Sequence, residues 1–150
     1  MNALNITESV HANCVLIGDT GVLIRGVSGS GKSTFSRRLV DLAQKIGHFA
    51  RFVGDDRILL RTSHGRLIAS GHPLIAGRVE VRGLGIAVSK FEDQAVIRLL
   101  ADCEPVLERR VPDPSDDMIE VLGIACRRIS VTSDGVDNVL VSLGMSNVLI

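Results

Sequence analysis

The chain has no tryptophan and no tyrosine, and its four phenylalanines are its only aromatic residues. Its core must therefore be aliphatic, and 45% apolar residues in 150 provide enough for one sizeable core. Net charge is missing as well, because 17 Lys and Arg balance 17 Asp and Glu. That argues against a general nucleic-acid binder, which carries a basic excess or stripe. No apolar run approaches the roughly 20 residues that a membrane span needs. The first ten residues lack the basic start and long apolar segment of a secretory signal. These absences predict a cytoplasmic protein with neither nucleic acid nor membrane as partner. Cysteine is scarce. Cys14, Cys103 and Cys126 form no CxxC pair, which suggests neither a zinc site nor a disulfide framework. Cys14 and Cys126 stand in apolar surroundings and read as small core residues. There is no internal repeat and no low-complexity segment.

What is present reads mainly as short strands. Residues 13–17 and 22–25 are apolar and rich in β-branched side chains, and Gly18-Asp19-Thr20-Gly21 between them carries turn chemistry. A glycine-rich loop follows, and then Phe35, Leu39, Leu42, Ala43 and Ile46 recur at helical spacing, with Gly47 as a stop. Residues 49–53 predict a strand that ends at Gly54-Asp55-Asp56. Residues 58–61 and 66–69 predict a second hairpin around Ser63-His64-Gly65. Residues 71–77 read as a loop containing Pro73, and 79–81 as a strand broken by Gly83 and Gly85. Residues 95–100 read as strand. Pro105, Pro112 and Pro114 mark a polar connection, and 129–131 and 139–143 are the last predicted strands. The sum is one α/β domain over residues 1–150, with a mixed β-sheet and one clear helix. It lacks the regular alternation of a fully parallel fold.

Gly26-Val27-Ser28-Gly29-Ser30-Gly31-Lys32-Ser33 satisfies the phosphate-loop pattern G-x-x-x-x-G-K-[ST] without mismatch. The glycines allow backbone angles and a close approach that side chains would block. Successive N–H groups then make an anion nest, and the following helix adds its positive N-terminal end. Lys32 reaches the outer phosphates, and the Ser33 hydroxyl can ligate Mg²⁺. With Thr34 at the start of the helix, this segment predicts a site for a nucleoside triphosphate, most readily ATP with Mg²⁺.

Phosphoryl transfer needs more than a cradle: metal ligands, a proton acceptor and charge neutralisation. Asp55 and Asp56 end a predicted strand beyond the helix. One can hold Mg²⁺ while the other accepts a hydroxyl proton, although Gly-Asp-Asp is also the chemistry of a solvated turn. Glu80 and Arg82 share a strand face. They read equally as a metal ligand beside a phosphate clamp and as a surface ion pair. His11, one of four histidines, by itself reads more readily as structural. His48, His64 and His72 give no signal.

Taken together, His11 ahead of a strand–turn–strand, the segment 21–33, Asp55-Asp56, and Glu80-Val81-Arg82-Gly83-Leu84-Gly85-Ile86 resemble the catalytic C-terminal domain of bacterial HPr kinase/phosphorylase, in the short form seen in alphaproteobacteria. The match is clear over residues 11–86 and weak beyond. The resemblance implies a nucleotide-binding fold similar to that of phosphoenolpyruvate carboxykinase. It implies phosphorylation of a serine on HPr, the phosphocarrier of the sugar phosphotransferase system, and the reverse phosphorolysis. It makes Asp56 the base, Ser33 and Glu80 the Mg²⁺ ligands, Lys32 the phosphate lysine, and His11 a histidine beside the site. The family's N-terminal domain is not expected here. Residues 130–138, where the family carries an arginine-bearing loop, contain neither arginine nor proline, so the kinase direction is expected rather than phosphorolysis. The resemblance also implies a homo-oligomer, the family hexamer, although the last helices, which help pack that hexamer and contact HPr, are not expected here. A second reading is an ATP-binding regulatory protein that engages a partner without transferring phosphate. A generic small-molecule kinase would carry an arginine-rich lid, and no such segment is present.

Overall fold

The computed structural model describes residues 7–27, 29–72, 91–104, 118–132 and 134–145, together with the strand backbone of 78–81 and 85–88. The elements in chain order are β1 (Thr7–Val10), β2 (Asn13–Ile17), β3 (Thr20–Arg25), α1 (Lys32–Lys45), β4 (Ala50–Gly54), β5 (Ile58–Ser63) and β6 (Arg66–Gly71). They continue with β7 (Arg78–Val81), β8 (Gly85–Val88), β9 (Gln94–Cys103), β10 (Met118–Val121), β11 (Ile124–Val131) and α2 (Val136–Ser142).

Nine strands form one mixed sheet in the order β1-β5-β6-β9-β3-β2-β4, with β11 also on β9 and β10 on β11. Three strands meet on β9. Its first residues pair antiparallel with β6, and its later ones pair in parallel with both β3 and β11. β7 and β8 make a separate two-stranded ribbon.

Period-two alternation divides the core between two faces. Val15, Ile17, Val22, Ile24, Leu99 and Ala101 face the helices and pack on Phe35, Leu39 and Ala43 of α1 and on Val139 and Leu140 of α2. The opposite face carries Cys14, Leu23, Leu100 and Cys126, which meet Ile58, Leu60, Leu67 and Ala69 of the β5–β6 hairpin. All three cysteines are unpaired and buried. Burial pushes the Cys14 thiol far above its ordinary value and that of Cys103 up to about 11, with the charge of Lys32 partly opposing the latter shift. Cys14 and Cys126 are the small core residues that their surroundings predict, and Cys103 joins them.

Both predicted hairpins, the helix after the glycine loop and the strand over 95–100 are present, the last extended to Gln94–Cys103. Three expectations need correction. Residues 139–143, predicted as a strand, lie mostly in α2: Val136, Val139, Leu140 and Leu143 recur at spacings of three, four and seven and lie against the helix-side core. The described chain therefore has two helices rather than one. Gly85 does not break a strand but opens β8, whose backbone pairs with β7. β1 and β10 were not anticipated: β1 is a short, mostly exposed strand that gains order by pairing with β5. The expected loop at 71–77 and the proline-marked connection fall mostly outside the described residues.

Candidate active site

Strand pairing fixes where the site must form. β2 lies between β3 and β4 and is antiparallel to both. Asn13, the first residue of β2, pairs with Ile24 near the end of β3, and Cys14 pairs with Gly54, the end of β4. The approach to β2, the exit of β3 and the exit of β4 thus converge, bringing His11, the phosphate loop and Asp55-Asp56 together. Beside Cys14 the register shifts by one residue on β4. Such a bulge re-aims the chain that follows it. Gly54 leaves little room for a side chain, since a Cβ there would lie 2.5 Å from Ile58 Cδ1, which would have to move aside, and 3.2 Å from the Gly71 backbone.

The phosphate loop follows β3 directly. A Cβ on Gly26 would collide with Ser30 Oγ and crowd Cys103, while Gly31 takes φ 90° as the N-cap of α1. Among the described residues no side chain caps that helix, and its first turn contains no acid. Its first N–H groups are therefore left for an anion. Among the described residues Ser30 Oγ is buried without a hydrogen-bond partner, an orphan that a phosphate oxygen would satisfy. Lys32 is only 7% exposed and takes no carboxylate partner among the described residues. An orphaned hydroxyl, an uncapped helix start and a withdrawn ammonium fit a bound triphosphate.

The acidic turn meets this loop. The Ser33 hydroxyl donates to Asp55 Oδ1 at 3.2 Å, and His11 Nε2 lies 2.8 Å from Asp56 Oδ1. Asp56 adopts φ 69°, unusual for a residue with a side chain. Its N–H donates to the buried Asn13 Oδ1 at 2.6 Å. The sequence-predicted residues His11, Lys32, Ser33, Asp55 and Asp56 are thus brought together. Val27 is exposed and Thr34 half-buried beside them. Ser28 and Arg82 lie outside the described residues, and Glu80 is described only as backbone of β7. Among the described residues no three His, Cys, Asp or Glu side chains converge on a metal position. Ser33 and Asp55 are the described oxygen donors, a set suited to Mg²⁺, which keeps waters and substrate oxygens as its remaining ligands.

Sequence reasoning missed two groups. Asn13 opens an apolar strand, and a polar residue at the head of that run is its one signal in the sequence. The second group lies at the ends of the parallel strands, on the sheet face away from α1. Arg25 donates through Nε and Nη2 to Asp102 at 2.7 and 2.9 Å, Arg128 donates to the same carboxylate at 2.5 Å, and Ser130 Oγ donates to Glu104. Burial alone would raise the Asp102 carboxyl, but the two guanidinium groups outweigh it and hold it below the usual carboxylate range. A cavity of about 280 Å³ lined by Arg66, Arg98 and Arg127 lies toward the other ends of these strands, away from the loop.

A curled mixed sheet with a glycine loop feeding an uncapped helix defines a phosphate-loop α/β domain. The sequence profile of the HPr serine kinase C-terminal domain matches residues 2–98, and the chain belongs to that family. The HPr kinase/phosphorylase of Mycoplasma mycoides is 40% identical over 80 residues, covering 53% of this chain and 24% of that protein. The HPr kinase/phosphorylase of Clostridium botulinum is 30% identical over 132 residues, covering 81% of this chain and 41% of the relative. The chain thus spans well under half the length of these relatives. The solved Hpr(Ser) kinase/phosphatase of Coxiella burnetii superposes with a TM-score of 0.67 at 26% identity, over 91% of this chain and 99% of that one.

Proposed function

We propose that this chain is a single phosphate-loop kinase domain that uses ATP and Mg²⁺ to phosphorylate a serine of HPr or an HPr-like phosphocarrier, in the cytoplasm. The observation that carries this reading is the Asp56 carboxylate, paired with His11 and held beside the phosphate loop. Nucleotide binding alone requires no such base. Residues Gly26 to Thr34 would cradle the phosphates, with Lys32 on the outer ones. Ser33 and Asp55, joined by Glu80, would hold the metal, and Arg82 would meet phosphate. Bound Mg²⁺–ATP supplies the γ-phosphoryl group and screens its charge. Asp56 takes the proton of the incoming serine hydroxyl as that oxygen attacks phosphorus and ADP leaves. His11 orients the carboxylate through Oδ1.

The reverse, phosphorolytic direction is not part of this reading. Residues 130–138 contain no arginine. The two arginines just upstream are both engaged, Arg128 by Asp102 and Glu104, and Arg127 by the Ser142 carbonyl.

The test is to incubate the protein with Mg²⁺–ATP and HPr-type carriers from the same organism and weigh the carriers by mass spectrometry. Asp56→Asn and Lys32→Ala variants run in parallel. One phosphate gained on a carrier serine, and lost in both variants, supports the kinase. Tight Mg²⁺–ATP binding with no transfer to any carrier overturns it in favour of an ATP-binding regulatory protein.

A further inference from the structure

We infer that Asn13 is a positioning residue, whose buried amide ties the turn carrying Asp56 to the start of the phosphate-loop helix. The catalytic consequence rests on the kinase reading above, whereas the tie itself does not.

Asn13 is fully buried, and a buried amide persists only where its polar atoms are bonded. Its Oδ1 accepts the Asp56 N–H at 2.6 Å. Its Nδ2 donates to Ser36 Oγ at 3.0 Å and, more distantly, to Ser33 Oγ at 3.4 Å. The neighbours dictate this orientation. A backbone N–H can only donate, so it must face Oδ1. The Ser36 hydroxyl gives its hydrogen to the Lys32 carbonyl at 2.7 Å, and the Ser33 hydroxyl gives its own to Asp55. Both serine oxygens therefore offer lone pairs to Nδ2. One planar group thus joins the start of β2, the first two turns of α1 and the acidic turn after β4.

The tie acts where the backbone needs it. Asp56 sits at φ 69°, and a residue with a side chain keeps that conformation when its surroundings hold it. Fixing the N–H of that same residue sets the direction in which its carboxylate leaves the turn, toward His11. The contacts to Ser33 and Ser36 then fix the distance between this carboxylate and the loop. Release of the tie leaves the loop intact and lets the base wander. The expected signature is a loss in turnover rather than in nucleotide affinity.

Two readouts test this, and the first needs no nucleotide. Amide hydrogen exchange of the unliganded protein is followed by NMR. The Asp56 amide, although in an exposed turn, is expected to be protected by at least about a hundredfold over an unstructured amide. Exchange at the unprotected rate overturns the inference. Asn13→Ala, which removes both halves of the tie, is expected to abolish this protection. The isosteric Asn13→Asp retains an acceptor for the Asp56 N–H and should keep most of it. The second readout is carrier phosphorylation. Asn13→Ala is expected to lower kcat by about tenfold to a hundredfold with KM for ATP changed by less than about threefold. Wild-type kcat in a folded Asn13→Ala protein overturns the inference. If the unmodified protein transfers no phosphate to any carrier, the kinase reading fails, while the exchange measurement still decides whether Asn13 holds the turn.

Discussion

At the scale of single residues, exposure separates side chains that stabilise from those that orient. The His11–Asp56 pair is 54% and 61% exposed, and pairs so solvated contribute little to stability. His11→Ala should therefore melt within about a degree or two of the parent, while on the proposed kinase reading carrier phosphorylation falls by about tenfold or more, because Asp56 would lose its orienting partner. Melting curves beside steady-state rates check both halves. Asp102 is the opposite case, with a side chain only 15% exposed and two guanidinium partners. Its folded pKa lies below its unfolded value, so its contribution is present at neutral pH and is lost as pH falls from about 4 through the folded value. Asp102→Asn is expected to cost about 3 kcal/mol at pH 7. That deficit should narrow in denaturant titrations repeated near pH 3.

At the scale of elements, α2 gives the sharpest test of packing. Leu140 is 1% exposed between α1 and the sheet. Leu140→Ala should cost about 2–5 kcal/mol by chemical denaturation. That helix also marks the limit of what the sequence disclosed. The phosphate loop, its helix and both hairpins were legible because each is written locally, in glycines, turn residues and a period of 3.6 or 2. The run 139–143 was not, because three valines within 136–141 favour strand locally and the helix is decided by what it packs on. The same contrast holds within the site. Lys32, Ser33 and the aspartates carry a recognisable pattern. Asn13 does not: its role arises from strand pairing that brings residues 20, 23 and 43 positions away to one amide. The bulge that aims the acidic turn is likewise a property of pairing and left no mark in the sequence.

At the scale of the molecule, β9 makes the two faces of the sheet interdependent. It pairs with β6 on one side of the fold's division and with β3 and β11 on the other, and it supplies residues to both cores. Unfolding followed by far-UV circular dichroism and by hydrogen exchange in the two half-sheets should give one coincident transition, whereas separate midpoints would show that the halves melt independently. The pairing also dictates an order of assembly. The β2–β3 and β5–β6 hairpins close over a few residues, but the bond from Arg25 to Asp102 spans 77 positions, and such distant contacts form slowly. Until β9 docks, Gly26 has no Cys103 to lie against and the phosphate loop has no floor. A nascent chain released as far as Asp93 would thus contain every residue of the recognisable motifs and still lack the strand that Gly26 lies against, so that the loop takes its shape with the strand rather than with the signature.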